Sequence, residues 1–498
     1  MELVEVIVVV VGAAALGVVL WSHLKPEGRK LPPGPSPLPI FGNIFQLTGP
    51  NTCESFANLS KKYGPVMSLR LGSLFTVVIS SPEMAKEVLT NTDFLERPLM
   101  QAVHAHDHAQ FSIAFLPVTT PKWKQLRRIC QEQMFASRIL EKSQPLRHQK
   151  LQELIDHVQK CCDAGRAVTI RDAAFATTLN LMSVTMFSAD ATELDSSVTA
   201  ELRELMAGVV TVLGTPNFAD FFPILKYLDP QGVRRKAHFH YGKMFDHIKS
   251  RMAERVELKK ANPNHLKHDD FLEKILDISL RRDYELTIQD ITHLLVDLYV
   301  AGSESTVMSI EWIMSELMLH PQSLAKLKAE LRSVMGERKM IQESEDISRL
   351  PFLNAVIKET LRLHPPGPLL FPRQNTNDVE LNGYFIPKGT QILVNEWAIG
   401  RDPSVWPNPE SFVPERFLDK NIDYKGQDPQ LVPFGSGRRI CLGIPIAHRM
   451  VHSTVAALIH NFEWKFAPDG SEYNRELFSG PALRREVPLN LIPLNPSF

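Results

Sequence analysis

A long proline-free helical pattern between Thr287 and Pro321 constrains the fold of this chain more than any other feature. Thr287 and Asp290 have the spacing of a capping box. Apolar residues then recur on one face of the pattern, at Ile288, Ile291, Leu294, Leu295 and Leu298. At 1.5 Å per residue, such a helix runs about 50 Å, enough to cross a whole domain. The chain is therefore expected to fold around one central helix.

The remaining patterns indicate more helices and a few short strands. Val66 to Ser80 and Val379 to Val394 each alternate like two strands joined by a turn. Ser81 and Pro82 have the character of a helix cap and first turn, and Pro351 to Leu363 reads as a helix stopped by a double proline. Hydrophobic residues make up 44% of the chain, which supplies a large buried core. The predicted fold class is mainly α with small β-sheets.

Charge and cysteine content exclude some classes of function. Lys and Arg total 55 against 56 for Asp and Glu, so the chain has no strongly basic character and no nucleic-acid partner is predicted. The five cysteines are an odd, sparse set, which argues against a secreted disulfide scaffold and favours a reducing compartment.

The N-terminus has the pattern of a membrane anchor. Leu3 to Trp21 is apolar apart from Glu5, and Lys25, Arg29 and Lys30 follow closely, which places the body in the cytoplasm by the positive-inside rule. A cleaved signal peptide is the alternative, although it requires positive charge before the apolar stretch. The predicted organisation is an anchor over residues 1–24, a basic and proline-rich linker over 25–40, and a catalytic domain over 41–498.

The segment from Phe434 to Gly443 reads F-G-S-G-R-R-I-C-L-G and is a candidate metal-binding loop. Its glycines allow backbone amides to approach the Cys441 sulfur, and a thiolate ligand donates electron density to a haem iron. Arg438 can pair with a haem propionate, and the helix that Gly443 opens favours a thiolate through its dipole. The alternative reading is a buried cysteine in a turn.

This segment resembles the signature F-x-x-G-x-R-x-C-x-G of the cytochromes P-450. The resemblance implies the single large domain of that fold, with haem b held by Cys441 and contacted by Phe434. Glu359 and Arg362 stand at the E-x-x-R motif of the family, and Arg416 lies in its P-E-R-F motif. These three residues are expected to form a buried charge network that supports the cysteine loop.

Further motifs follow in the family's order. Trp123 with Arg127, and separately Arg373, resemble contacts to the haem propionates. The A-G-S-E-S stretch of the central helix resembles the family's proton-relay segment, which implies that Glu304 and Ser305 carry protons. Ser305 stands where threonine is usual and Thr306 follows it, so the identity of the relay hydroxyl stays open.

The H-A-H-D-H stretch at residues 104–108 resembles the metal-binding run of dinuclear hydrolases. It is one residue short, and no later carboxylate and histidine set completes such a site. By the cytochrome P-450 resemblance, this stretch instead belongs to the loop that covers the substrate.

Stretches such as S-S-P-E-M-A-K-E-V-L, P-N-F-A-D-F-F-P-I-L and I-G-R-D-P are similar to plant microsomal members that oxidise terpenoids, the group that includes ferruginol synthase and geraniol 8-hydroxylase. This implies hydroxylation of a terpenoid, with dioxygen, by an enzyme anchored in the endoplasmic reticulum membrane. An abietane or related diterpene is the expected substrate. NADPH is expected to act through cytochrome P-450 reductase without binding to the chain.

The expected substrate contacts are mostly apolar, as a terpenoid requires. They are Ala102, Val103, Phe111, Val209, Leu213, Leu294, Asp297, Leu298, Ala301, Leu369, Phe371, Phe478 and Pro481. Three alternatives remain at this stage: a monoterpenol hydroxylase of the geraniol 8-hydroxylase type, a reductase-independent haem-thiolate isomerase, and a non-catalytic haem sensor.

Overall fold

The computed structural model describes residues 29–47, 51–192, 196–261, 269–280, 285–470, 476–479 and 482–496, with residues 476–479 described by their backbone. The predicted anchor over residues 1–24 lies outside this set. Within the described ranges, no helix is both long and apolar enough to cross a membrane.

Helices dominate the described chain, as the sequence predicts. In chain order the α-helices are α1 Thr52–Tyr63, α2 Pro82–Thr90, α3 Pro121–Gln133, α4 Ser137–Lys142, α5 Gln144–Asp163, α6 Ile170–Phe187, α7 Ser197–Gly214, α8 Phe218–Phe221, α9 Val233–Ala261, α10 Phe271–Ser279, α11 Ile288–Leu319, α12 Pro321–Met335, α13 Glu343–Asp346, α14 Pro351–Leu363, α15 Glu396–Ile399 and α16 Ile444–Asn461. Shorter 3-10 helices cover Ile44–Gln46, Thr92–Phe94, Gln101–Gln110, Pro223–Tyr227, Ile347–Arg349, Pro414–Phe417 and Gly437–Arg439.

The strands are short and form small sheets. They are β1 Val66–Leu71, β2 Leu74–Ile79, β3 Val168–Thr169, β4 Arg373–Gln374, β5 Val379–Leu381, β6 Tyr384–Ile386, β7 Gln391–Val394, β8 Glu463–Phe466, β9 Glu476–Ser479, β10 Ala482–Arg485 and β11 Asn490–Leu494. One sheet has the order β1-β2-β7-β4 and another the order β3-β11-β8, while β5 pairs with β6 and β9 with β10. The β2–β7 pair is parallel. Both predicted strand pairs, and the predicted mainly helical class, are confirmed.

The central helix α11 has the predicted length and start. The Asp290 amide donates to Thr287 Oγ1 at 3.1 Å, and the Thr287 amide donates to Asp290 Oδ2 at 2.9 Å, which completes the capping box. The helix packs against α6, α9, α14 and α16. Between Asp290 and Leu317 it is buried apart from the half-buried Asp297 and Gly302 and the exposed Ala301 and Ser305.

The proline-rich part of the linker has neither helix nor strand over residues 31–37, and it is attached to the body. The Ser68 amide donates to Pro33 O at 2.8 Å, and the Ser68 hydroxyl donates to Pro32 O at 2.7 Å. The Phe385 amide donates to Lys30 O at 2.8 Å. The stretch therefore lies along the edge strand β1 and the β5–β6 pair and is hydrogen-bonded to both.

Candidate functional site

The cysteine loop lies between the 3-10 helix Gly437–Arg439 and α16. The Cys441 amide donates to Phe434 O at 3.0 Å, and the Gly443 amide donates to Cys441 Sγ at 3.3 Å. Gly437 has a φ of +70°, and a Cβ there would lie 2.4 Å from Leu89 O, so only glycine fits. This backbone arrangement aims an amide at the sulfur, as the glycine-rich pattern predicts.

The Cys441 sulfur lies within the protein and yet faces open space. Cys441 is exposed by surface area, whereas Cys53, Cys130 and Cys161 are buried. Desolvation by the surrounding protein raises the pKa of the Cys441 thiol, while the Gly443 amide and Arg127 lower it. A thiol that is enclosed but accessible, with an amide donor on its sulfur, fits a metal-bound thiolate.

The central helix is open on one face at the level of its A-G-S-E-S stretch. Ala301 and Ser305, one turn apart, are the exposed residues in an otherwise buried part of α11. α11 also packs against α16, the helix that follows Cys441 directly, so the cysteine loop and α11 belong to neighbouring elements. This geometry fits a flat cofactor between the cysteine loop and α11.

Three arginines form a cationic cluster beside the cysteine loop. Arg373 is buried and donates to Leu89 O at 2.9 Å and to Ser436 O at 3.1 Å. Burial and the charge of Arg439 lower the pKa of Arg373 to about 10. Burial, followed by the charges of Arg439 and Arg373, lowers the pKa of Arg97 well below its usual value. The charges of this cluster repel one another, which suits a site for the two carboxylates of a haem.

The arginine of the cysteine-loop signature is Arg439 when the positions are counted, and not the neighbouring Arg438. Arg439 donates to Leu116 O at 2.7 Å, Leu95 O at 3.0 Å and Ala114 O at 3.2 Å. Burial lowers its pKa to about 10. Arg438 is exposed. The arginine at the signature position is therefore Arg439, which is hydrogen-bonded to the protein, and not the exposed Arg438.

Trp123 and Arg127 of α3 contact the same loop. Arg127 Nη2 donates to Ile440 O at 2.9 Å, next to the cysteine. Two guanidinium groups lie near the indole of Trp123, with Arg127 Cζ 5.3 Å and Arg439 Cζ 5.4 Å from the centre of its ring. The indole nitrogen donates to Ile113 O at 3.0 Å. These contacts bring together α3, the cysteine loop and the segment after residue 110.

The predicted charge network is present. Arg362 Nε and Nη2 donate to the two carboxylate oxygens of Glu359 at 2.7 and 2.8 Å, and Arg416 Nε donates to Glu359 Oε1 at 2.9 Å. The Val413 amide adds a further bond to Glu359 Oε1 at 2.8 Å. Arg362 also donates to Gly400 O and Pro409 O. Glu359 and Arg362 are fully buried, so this network ties α14 to the chain that leads to the cysteine loop.

The predicted relay residues point in different directions. Ser305 is exposed and its hydroxyl donates to Ala301 O at 2.8 Å, whereas Thr306 is buried and donates to Gly302 O at 2.8 Å. Glu304 is buried and pairs with Arg484 of β10, with Oε2 and Nη2 2.7 Å apart. Burial raises the pKa of the Glu304 carboxyl, and Arg484 acts against this rise.

The expected substrate contacts divide into exposed, half-buried and buried residues. Phe371 and Ala301 are exposed, while Phe111, Leu213, Asp297 and Leu369 are half-buried. The remaining residues with described side chains are at most 8% exposed and pack in the core: Ala102, Val103, Val209, Leu294 and Leu298. Phe478 has a described backbone, paired with Leu483 in the β9–β10 pair, and Pro481 lies outside the described residues.

Sequence reasoning missed Arg97, Arg439 and Arg484. Arg439 could have been found by counting along the signature. Arg97 precedes a proline in no recognisable motif, and Arg484 is separated from Glu304 by 180 positions, so neither gives a local signal.

Comparison with known proteins agrees with this geometry. The family model described as Cytochrome P450 matches residues 32–491. A ferruginol synthase of Isodon rubescens is 57% identical over 94% of this chain and 95% of its own length. A sugiol synthase of Salvia miltiorrhiza is 54% identical over 95% of this chain and 96% of its own, and a carnosic acid synthase of Salvia fruticosa is 46% identical over 96% and 97%. The chain therefore belongs to the cytochrome P450 family, whose members bind haem, and it is a monooxygenase supplied with electrons from NADPH through a reductase.

Proposed function

We propose that this monooxygenase uses dioxygen to hydroxylate a plant terpenoid, and that its substrate is a diterpene with an abietane or related skeleton. The observation that carries the proposal is the similarity to ferruginol synthases, which reaches 53–57% identity over most of the chain. The names of the sugiol and carnosic acid synthases among the relatives point to the same substrate class.

Two sets of residues would hold the haem, one at its iron and one at its carboxylates. Cys441 would bind the iron, with the Gly443 amide on the sulfur. The cationic cluster of Arg97, Arg373 and Arg439 would bind the propionates, together with Arg127. When bound, the thiolate-ligated haem supplies the oxygen-activating chemistry. The protein's own contribution is to orient the substrate and deliver protons.

Proton delivery is assigned to Glu304 and Ser305. Ser305 exposes its hydroxyl on the open face of α11, while Thr306 is buried. Glu304 is one residue away, and its raised pKa brings the carboxyl closer to the pH at which it can both hold and release a proton. Of the two candidate hydroxyls, Ser305 is therefore the better placed relay.

The proposed substrate space lies above the open face of α11. Ala301 borders it with a small apolar side chain, and the exposed ring of Phe371 stands 6.1 Å from the ring of Phe115. Leu369 and Leu213 are half-buried and contribute further apolar surface. Apolar side chains around a small residue suit a fused-ring hydrocarbon, since burial of its surface provides the binding free energy.

Residence in the endoplasmic reticulum membrane is supported by an apolar surface as well as by the N-terminal sequence. This surface is formed by residues 38–45 and 218–228. The two segments meet where the rings of Phe41 and Phe222 are 6.1 Å apart, and the Ser73 amide donates to Phe221 O beside them. Its exposed side chains are Leu38, Ile40, Phe41, Phe45, Phe218, Ile224, Tyr227 and Leu228. A patch of this kind is costly in water and suits a lipid surface next to the predicted anchor.

The experiment is turnover by the full-length protein in microsomes with added cytochrome P450 reductase. Miltiradiene, ferruginol and geraniol are supplied separately, and products are identified by mass spectrometry. We expect a hydroxylated product from an abietane substrate that depends on NADPH and reductase. Cys441→Ala should lose both the product and the 450 nm band of the reduced carbon monoxide complex, whereas Cys162→Ala should keep both.

Two outcomes would overturn the proposal. Hydroxylation of geraniol without oxidation of either diterpene would assign the chain to the monoterpenol hydroxylases. Conversion of a terpenoid without NADPH and reductase would identify a haem-thiolate isomerase instead.

A further inference from the structure

The H-A-H-D-H stretch contains a strained kink. It lies in the 3-10 segment Gln101–Gln110, where His106 and Asp107 have φ values of +52° and +57°. Left-handed backbone is unfavourable for side chains with a Cβ, so two such residues in succession need compensating contacts. Within the kink, His106 Nε2 lies 2.9 Å from His238 O of α9.

His108 directly follows the kink, and its contacts are those that can compensate for the strain at His106 and Asp107. Its Nε2 lies 3.0 Å from Asp297 Oδ1, and its Nδ1 lies 2.8 Å from His293 Nδ1. His108 is 1% exposed, with the ring of Tyr241 centred 4.5 Å away and that of Phe245 5.8 Å away. A neutral His108 that donates through Nε2 accepts through Nδ1, so His293 carries its proton on Nδ1.

Asp297 is fully occupied by the same segment. Its Oδ2 accepts from the Ser112 hydroxyl at 2.7 Å and from the Ile113 amide at 3.0 Å, while its Oδ1 accepts from His108. Asp297 lies one turn before Ala301 on α11. Both carboxylate oxygens therefore bind residues 108–113, which lie against α11 one turn from its open face and form, with residues 114–116, the covering segment.

The other end of the covering segment is held by the cationic cluster. Arg439 donates to Ala114 O and Leu116 O, and the Trp123 indole donates to Ile113 O. Residues 108–116 are thus attached to α11 through Asp297 and to the cysteine loop through Arg439. Release of the first attachment would leave the second in place, so the segment would swing and not detach.

We propose that His108, His293 and Asp297 form a latch that holds the covering segment against the central helix and controls the access of large ligands to the haem. Asp297 and His108 are positioning residues in this proposal, because they act through the segment and do not touch the substrate. The inference rests on the membership of the cytochrome P450 family and not on the identity of the terpenoid.

The test uses two ligands whose nitrogen binds ferric haem, imidazole as the small probe and 4-phenylimidazole as the large one. Association is followed by stopped-flow absorbance with the full-length protein in microsomes. His108→Phe keeps the aromatic volume between Tyr241 and Phe245 but removes both nitrogen contacts. We expect 4-phenylimidazole to bind on the order of tenfold faster, which matches the loss of one charge-assisted hydrogen bond, while imidazole changes by less than about twofold.

Three further variants make the test specific. His104→Phe is the matched control, because His104 is exposed in the same 3-10 segment, and it should bind both probes at the parental rate. His108→Gln restores a donor to Asp297 and should recover most of the parental rate. Ser112→Ala removes one of the three donors to Asp297 and should show a smaller acceleration, even if His108→Phe does not fold.

The carbon monoxide complex of each variant should keep its 450 nm band, since the latch does not touch the cysteine loop. Equal rates for parent, His108→Phe and Ser112→Ala with 4-phenylimidazole would overturn the proposal. The same would follow if imidazole and 4-phenylimidazole were accelerated equally, since that result indicates general loosening and not a size-dependent barrier.

Discussion

Each side of the haem site contains a buried glutamate, Glu359 beside the cysteine loop and Glu304 on the central helix. The two glutamates differ in the number and kind of their hydrogen-bond partners. On the cysteine side, Glu359 receives four hydrogen bonds, from Arg362 twice, Arg416 and the Val413 amide. On the central-helix side, Glu304 pairs with Arg484, and burial raises its pKa. The first carboxylate is held by two arginines and a backbone amide, whereas burial raises the pKa of the second against the opposing charge of Arg484.

From this difference we expect Glu359 to support the fold and Glu304 to take part in proton transfer. A buried carboxylate that accepts four hydrogen bonds fixes the chain around it. A carboxylate with one strong partner keeps capacity for further hydrogen bonds and for proton transfer. The cysteine side is therefore expected to respond to mutation through stability and haem content, and the helix side through activity.

The largest expected effect is that of Glu359→Gln. The substitution leaves Arg362 and Arg416 without their shared counterion, and breaking a buried ion pair in this way costs about 3–5 kcal/mol. We expect little folded, haem-containing protein, measured by the 450 nm band and by the thermal unfolding temperature. Glu304→Gln is the matched substitution on the helix side and should keep the band. Equal loss of the 450 nm band in both variants would contradict the proposed difference between Glu359 and Glu304.

The next effect concerns the pH dependence of stability. Glu396 of α15 is buried, accepts the Val432 amide at 2.9 Å, and burial raises its pKa from 4.5 to about 8. The folded state therefore keeps this proton between about pH 4.5 and 8 while the unfolded chain loses it, so rising pH destabilises the fold in this window.

Glu396→Gln should remove this contribution. We expect the free energy of unfolding of the variant, relative to the parent, to increase by roughly 1.4 kcal/mol per pH unit between pH 5.5 and 7.5. Thermal unfolding at several pH values measures it. A difference between variant and parent that does not change with pH would show that Glu396 is ionised in the folded protein.

The smallest effect distinguishes the two hydroxyls on the helix side. Ser305→Ala should lower the product formed per NADPH consumed by about tenfold, at the low end for a proton-transfer group because water can replace a hydroxyl. Thr306→Ala should change this ratio by less than about twofold, since Thr306 is buried and bonded to Gly302 O. Both variants should keep the 450 nm band. A larger loss in Thr306→Ala would reassign the relay to that residue.

Much of the scaffold could be predicted because its signals are local. The Thr287–Asp290 capping box, the Ser81 cap and the turn between Val66 and Ser80 each depend on residues a few positions apart. Cys441 and the Glu359 network were found because family motifs give each residue a fixed place in the order of the chain.

The parts that could not be predicted are contacts between distant segments. His108 and Asp297 are separated by 189 positions, and no property of either residue alone indicates the other. A Cβ on Gly302 of α11 would lie 2.8 Å from Met182 Cε of α6. The two helices thus pack closely at this glycine, which the sequence of α11 does not reveal.

The attachment of the proline-rich stretch has a mechanical consequence. Lys30 O is bound by the Phe385 amide and Pro33 O by the Ser68 amide, so the body is held from residue 30 onward. If residues 1–24 anchor the chain as proposed, only residues 25–29 separate the anchor from the attached body, and a chain of that length reaches about 20 Å at most. A connection this short would leave the body little freedom to rotate relative to the bilayer. One face of the enzyme would then be held toward the membrane, and the search for a lipid-dissolved substrate would be confined to two dimensions.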